Sequence, residues 1–135
     1  MRVEFFVHGR PQPQGSTKAF MPKGARFPVV TSDNAKLKPW RQEIAGVALR
    51  EMSASLQSLE FGPVHVQCEF AFQRPKSTSK KVTHKITRPD LDKCLRGVYD
   101  ALTGIVFYDD AQIVSSVESK VFAEKEGVWI LVQSV

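Results

Sequence analysis

At 135 residues the chain has room for one domain with one core and not for two. Its 42 % apolar and 24 % charged residues exclude wholesale disorder, and no apolar run approaches the roughly 18 residues of a membrane span. Nineteen Lys and Arg against fourteen Asp and Glu give a net charge of +5, which leans towards a polyanionic partner.

In chain order, Val3–Val7 reads as an opening strand. Residues 9–28 carry four prolines and three glycines, and form a long basic loop or loose hairpin. Pro39 suits the first turn of a helix running to about Met52, with Trp40, Ile44, Val47, Ala48 and Glu51 at helical spacing. Val64–Phe72 alternates cleanly, with Val64, Val66, Cys68, Phe70 and Phe72 on one face, and reads as a strand. A second basic loop, 73–89, follows. Leu91, Cys94, Leu95, Val98, Ala101 and Leu102 then form an apolar helical stripe that Gly104 ends. Ile113–Phe122 and Val128–Val132 read as a hairpin around Glu126-Gly127, an apolar surface suited to pairing between two copies. The order of elements indicates a single α+β domain over 1–135, a sheet with two main helices.

The charge is concentrated. Between Arg10 and Arg41 there are seven basic residues and one acid, Asp33. Between Arg74 and Arg88 there are six and no acid (Arg74, Lys76, Lys80, Lys81, Lys85, Arg88). Two such loops suit a phosphate backbone, because each neutralised phosphate releases counterions.

Beside the second loop stand acids. Asp90 and Asp92 would diverge by about 200° on a continuous helix. Pro89 and the start of the apolar stripe at Leu91 place Asp90 outside the regular helix, so the two carboxylates can face one way. If the helix and a short connector bring Asp110 back to them, three carboxylates suit Mg²⁺ or Mn²⁺ and metal-assisted phosphodiester hydrolysis. Arg96, one turn after Asp92, is placed to reach a phosphate or a carboxylate. The same residues allow a plainer account. Asp90 would cap the helix, Asp92 would sit at its positive end, and Asp109-Asp110 would form a turn leading into a strand. Arg96 would then pair with Asp92 and Asp100.

Arg88-Pro89-Asp90-Leu91-Asp92, Asp100-Ala101-Leu102-Thr103-Gly104 and Tyr108-Asp109-Asp110-Ala111-Gln112-Ile113-Val114 together resemble the signature of the RusA-type Holliday junction resolvases, a family encoded largely by phages and prophages. The resemblance implies a homodimeric, Mg²⁺-dependent endonuclease (Mn²⁺ as a substitute) of the bacterial cytoplasm. It would cut two opposed strands of a four-way DNA junction and leave ligatable nicks. By position, Asp90, Asp92 and Asp110 match the metal carboxylates, and Asp109 and Asp100 match other acids of the pattern. Two positions depart from it: Lys93 stands where Asn is common, and Arg96 replaces a helical lysine. Arginine keeps the cation but does not readily shuttle a proton, so Arg96 is expected to clamp phosphate. Lys76, Lys80, Lys81, Lys85, Arg88 and Lys93 are the expected DNA contacts. The alternative is a non-catalytic junction- or duplex-binding protein on the same scaffold.

The remaining candidates are ordinary. His65 is expected to be solvated, His84 lies in the basic loop, and no histidine, His8 included, has a second ligand nearby in sequence. Cys68 and Cys94 fall on apolar faces, in no metal-like spacing, and are expected to be core thiols of a reducing compartment. Trp40 reads as core, while Phe20 and Phe27 are placed for base stacking.

Overall fold

The computed structural model describes every residue except Ser16 and Asp33, and the backbone alone of residues 17, 18 and 30–32. Among the residues counted above, Asp33 and the Lys18 side chain therefore lie outside the described set. The elements are β1 (Arg2–His8), β2 (Thr17–Phe20), β3 (Val29–Ser32), α1 (Leu37–Ala54), β4 (Val64–Phe72), α2 (Leu91–Leu102), β5 (Ile113–Phe122) and β6 (Gly127–Ser134). A 3-10 turn, Asp110–Gln112, leads into β5. The α+β arrangement is the expected one, and β4 and α2 begin and end where their periodicity placed them. The loop after β1 does close a hairpin, with Phe20 opposite Val29.

One expected pairing is overturned. β5 and β6 are both strands, but they do not form a hairpin: the sheet runs β1-β6-β4-β5. β5 lies parallel to β4, and β6 lies antiparallel to both β4 and β1. The reason is burial. In β6, Val128, Ile130, Leu131 and Val132 are all buried, so this strand belongs where neighbours cover it on both edges. β5 carries Ser115, Ser116, Glu118, Ser119 and Lys120, and such a polar strand is best placed at an edge. The link between them passes the end of β4, where the Ala123 amide donates to the Phe72 carbonyl at 2.9 Å.

The core lies between one face of this sheet and the two helices. Val7, Val66, Phe70, Val128 and Ile130 meet Trp40, Ile44 and Ala48 of α1 and Cys94, Val98 and Leu102 of α2. Each such large apolar side chain, fully withdrawn from water, contributes about 1.5–3 kcal/mol. Trp40 is core, as its spacing indicated, while Phe20 and Phe27 are 48 % and 76 % exposed. Both cysteines are free and buried, and Cys94 is pushed up to about 12, chiefly by burial. No helix among the described residues is long and apolar enough to cross a membrane.

Candidate active site

The site grows from the point where the second basic loop enters α2. The Arg88–Pro89 peptide is cis, and Asp90 follows in extended conformation (φ −68°, ψ 140°) as the residue before the helix. Asp90 occupies the N-cap position, yet its side chain accepts no capping hydrogen bond. Its carboxylate instead lies 3.8 Å from the Lys93 ammonium, and that of Asp92 lies 3.9 Å from the Arg96 guanidinium. The two acids are 56 % and 70 % exposed, so both pairs are loose surface contacts in high dielectric. Neither carboxylate is consumed in holding the fold together.

Asp109 behaves differently. Its side chain accepts from the Ala111 amide at 2.9 Å, and the Gln112 side chain accepts from the Asp109 amide at 2.7 Å, a reciprocal cap of the 3-10 turn. The plainer account is therefore right for Asp109 and wrong for Asp90. Among the described residues Arg96 pairs with Asp92 alone; Asp100 is taken by Arg41 of α1 at 3.4 Å.

The candidate acids fall into two groups at opposite ends of α2. Asp90 and Asp92 stand at its start, where both act electrostatically on the buried Cys94 thiol. Asp110 stands past its end. Slight desolvation, a hydrogen bond shared with Asp109 that favours the protonated Asp110, and the charges of Asp109 and Asp100 together raise the Asp110 carboxyl above its ordinary range. Eight residues of helix separate Asp92 from Asp100, about 12 Å along the axis. Among the described residues, no three His, Cys, Asp or Glu side chains gather into a cage for one ion. The donors still fit a hard divalent cation. Mg²⁺ commonly takes one or two carboxylates and completes its shell with water and substrate phosphate, and Asp90 and Asp92 present such oxygens to solvent.

A cleft of about 310 Å³ opens at Asp90, lined by Pro13, Gly15, Arg88, Pro89 and Lys93. The loop after β1 thus forms one wall of the site. The Gln14 amide donates to the Lys93 carbonyl at 3.0 Å, which lays residues 12–15 across the start of α2.

Lys120, on β5, did not stand out in the sequence. Its ammonium donates to the carbonyls of Thr87 and Pro89 at 2.8 and 2.9 Å, fixing the turn that presents Asp90. Gln112 does the same at the other end, donating to the carbonyls of Glu60 and Gly62, both at 2.9 Å. Glu118, two residues before Lys120, holds one buried carboxylate oxygen with no hydrogen-bond partner among the described residues. Nothing local singles out Lys120 and Glu118 in the sequence, since they stand in a strand already rich in serine.

Of the expected DNA contacts, Lys76, Lys80 and Lys81 are exposed along the second loop, and Lys80 lines a second cleft, of about 490 Å³, with Arg74 and Glu124. Arg74 turns inward instead, donating to the Ser79 carbonyl at 2.6 Å and to the Val82 carbonyl, so it closes the loop on itself. His65 meets Ser115 and Gln67, and His84 meets Thr83.

The family model described as endodeoxyribonuclease RusA matches residues 8–133. The chain is also 29 % identical over 143 residues to the uncharacterized protein YqaN of Bacillus subtilis (strain 168), a match spanning 98 % of this chain and 96 % of that protein. The match runs from the end of β1 almost to the end of β6, taking in both helices and every acid described above. This chain belongs to the RusA family of endodeoxyribonucleases.

Proposed function

We infer that the chain is a Mg²⁺-dependent endonuclease, with Mn²⁺ as a substitute, that resolves four-way DNA junctions by paired symmetric nicks, working as a homodimer in a phage- or prophage-bearing bacterial cytoplasm. One observation carries this reading: Asp90 holds the N-cap position without capping, at the mouth of a cleft walled by Arg88 and Lys93, and both it and Asp92 make only loose, exposed ion pairs. A carboxylate withheld from the helix is available to an ion. When bound there, a divalent cation supplies charge neutralisation and an acidified water. Asp90 and Asp92 hold it. Arg96 and Lys93 leave their loose carboxylate contacts to grip the scissile phosphate, and Lys76, Lys80, Lys81, Lys85 and Arg88 track the adjoining backbone.

The division of the acids supports the dimer. A four-way junction offers two equivalent strands for incision, and a two-fold dimer offers two equivalent sites. It also offers the geometry one chain lacks, in which Asp110 of one protomer meets the start of α2 in the other. Mixing subunits tests this arrangement. Asp92→Asn and Asp110→Asn dimers are each expected to be inactive. After subunit exchange, half of the dimers are mixed and each carries one intact site, so nicking returns to about a quarter of the wild-type level. A mixture that stays inactive although native mass spectrometry shows the mixed dimer would place all three acids in separate or single-chain sites.

A further inference from the structure

Next to the cleft, three cations are linked through two shared partners, Phe72 and Thr87. Lys85 lies with its ammonium 5.4 Å from the centre of the Phe72 ring and 5.7 Å from that of Phe122. The Arg10 guanidinium lies 5.8 Å from the same Phe72 ring. Thr87 joins Lys85 to Lys120: its hydroxyl accepts from Lys85 at 2.9 Å, and its carbonyl accepts from Lys120 at 2.8 Å. These residues come from three separate segments, the loop after β1, the second basic loop and β5.

The charges do not balance. Glu126 pairs with Arg10 at 3.2 Å and also accepts from the Gln73 amide. Lys85 donates to a hydroxyl, and Lys120 to two carbonyls, and none of these carries charge. Desolvation, then the neighbouring charges of Arg10 and Lys120, lower the Lys85 ammonium from its ordinary value. Aromatic faces return part of the lost hydration, but repulsion among like charges at the edge of a low-dielectric core remains. An arrangement that gathers positive charge from distant segments on a fixed apolar floor is a receptor for an anion.

We propose that Arg10, Lys85 and Lys120 form a binding site for a single phosphodiester of the DNA backbone, next to the cleft at Asp90 and distinct from the scissile phosphate. The ligand's identity rests on the nuclease reading; the site itself rests on the geometry of the three cations. Because Lys120 also holds the carbonyls of Thr87 and Pro89, a phosphate seated there is in fixed register with Asp90.

The test measures binding of a four-way DNA junction over a salt series, with Ca²⁺ in place of Mg²⁺ so that binding is read apart from cleavage. Lys85→Met keeps the apolar stem against Phe72 and Phe122 and removes the charge. It is expected to weaken binding several-fold and to reduce the slope of log K against log salt by about 1, the value for one phosphate. Lys85→Arg retains the slope. Adding Arg10→Gln to Lys85→Met takes nothing further from the slope, because both cations serve the same phosphate. An unchanged slope in Lys85→Met overturns the proposal, as does a combined loss of about 2 or a Lys85→Arg protein that loses as much as Lys85→Met. Should Lys85→Met fail to fold, Arg10→Gln alone carries the test, with the same loss of about 1 expected and an unchanged slope overturning it. Thermal stabilisation by inorganic phosphate equal to that by the junction would make this a general anion site, not one for DNA. A wild type that binds with this Lys85-dependent slope yet never nicks DNA would remove the nuclease reading and leave the phosphate site standing.

Discussion

Replacing Asp92 by Asn is expected to lower Mg²⁺-dependent cleavage of a junction about a thousandfold while leaving junction binding intact or tighter. The side chains have the same shape, and Asp92 lies 70 % exposed with only a 3.9 Å contact to Arg96, so the fold loses nothing of weight. What is lost is one of two charged oxygen donors at the start of α2. Placing a divalent cation against a phosphate is worth several kcal/mol, and about 4 kcal/mol corresponds to a thousandfold in rate. Binding moves the other way because the backbone of DNA no longer approaches that negative charge, and Arg96 is released to meet it. Single-turnover cleavage and a Ca²⁺ binding assay on the same protein separate the two effects. Equal loss of both would mean that Asp92 serves the fold.

The second large effect concerns the scaffold. A Cβ on Gly127 would stand 2.2 Å from the Val7 carbonyl oxygen and 2.5 Å from the Phe6 ring. The Val7 backbone cannot retreat: Val7 lies opposite Val128 in the β1–β6 ladder and is fully buried. Gly127→Ala is therefore expected to destabilise by about 3 kcal/mol, read as a shift in the urea midpoint with the slope unchanged. The strain would fall on the end of β1, two residues before the loop that carries Arg10. Junction affinity should accordingly fall more steeply than the loss of folded protein accounts for. A change of less than about 0.5 kcal/mol would show that β1 and β6 are not held in this register.

What the sequence made legible follows from how local each signal is. Val64–Phe72 alternates strictly and Leu91–Leu102 keeps its apolar residues on one stripe, so both elements could be bounded from the residues alone. The pairing of β5 with β6 was misread because a short glycine-containing link favours a hairpin only when both strands accept an exposed edge. The burial of Val128, Ile130 and Val132 on one face of the sheet and of Leu131 on the other is a long-range property that no local window contains. At the site, residue types and spacing picked out Asp90, Asp92 and Asp110, but whether a carboxylate caps its helix depends on rotamer and backbone. Asp109 caps and Asp90 does not, though both precede helical turns. Lys120 was illegible for a related reason. An isolated lysine in an edge strand looks like solvation until the chain is folded and its ammonium meets the Thr87 and Pro89 carbonyls. The separation of Asp110 from Asp90 by the length of α2 also belongs to the fold, since equal spacing in an irregular segment would have let them meet.

Incubating the wild-type protein in Mg²⁺ with a four-way junction labelled on each strand in turn, and mapping the cuts, decides whether the chain resolves junctions. Paired nicks are expected at symmetric positions on two opposed strands, sealed afterwards by DNA ligase, with no cutting once EDTA has removed the metal. A protein that binds the junction yet leaves all four strands intact in both Mg²⁺ and Mn²⁺ would contradict the nuclease reading and establish a junction-binding protein on a nuclease scaffold.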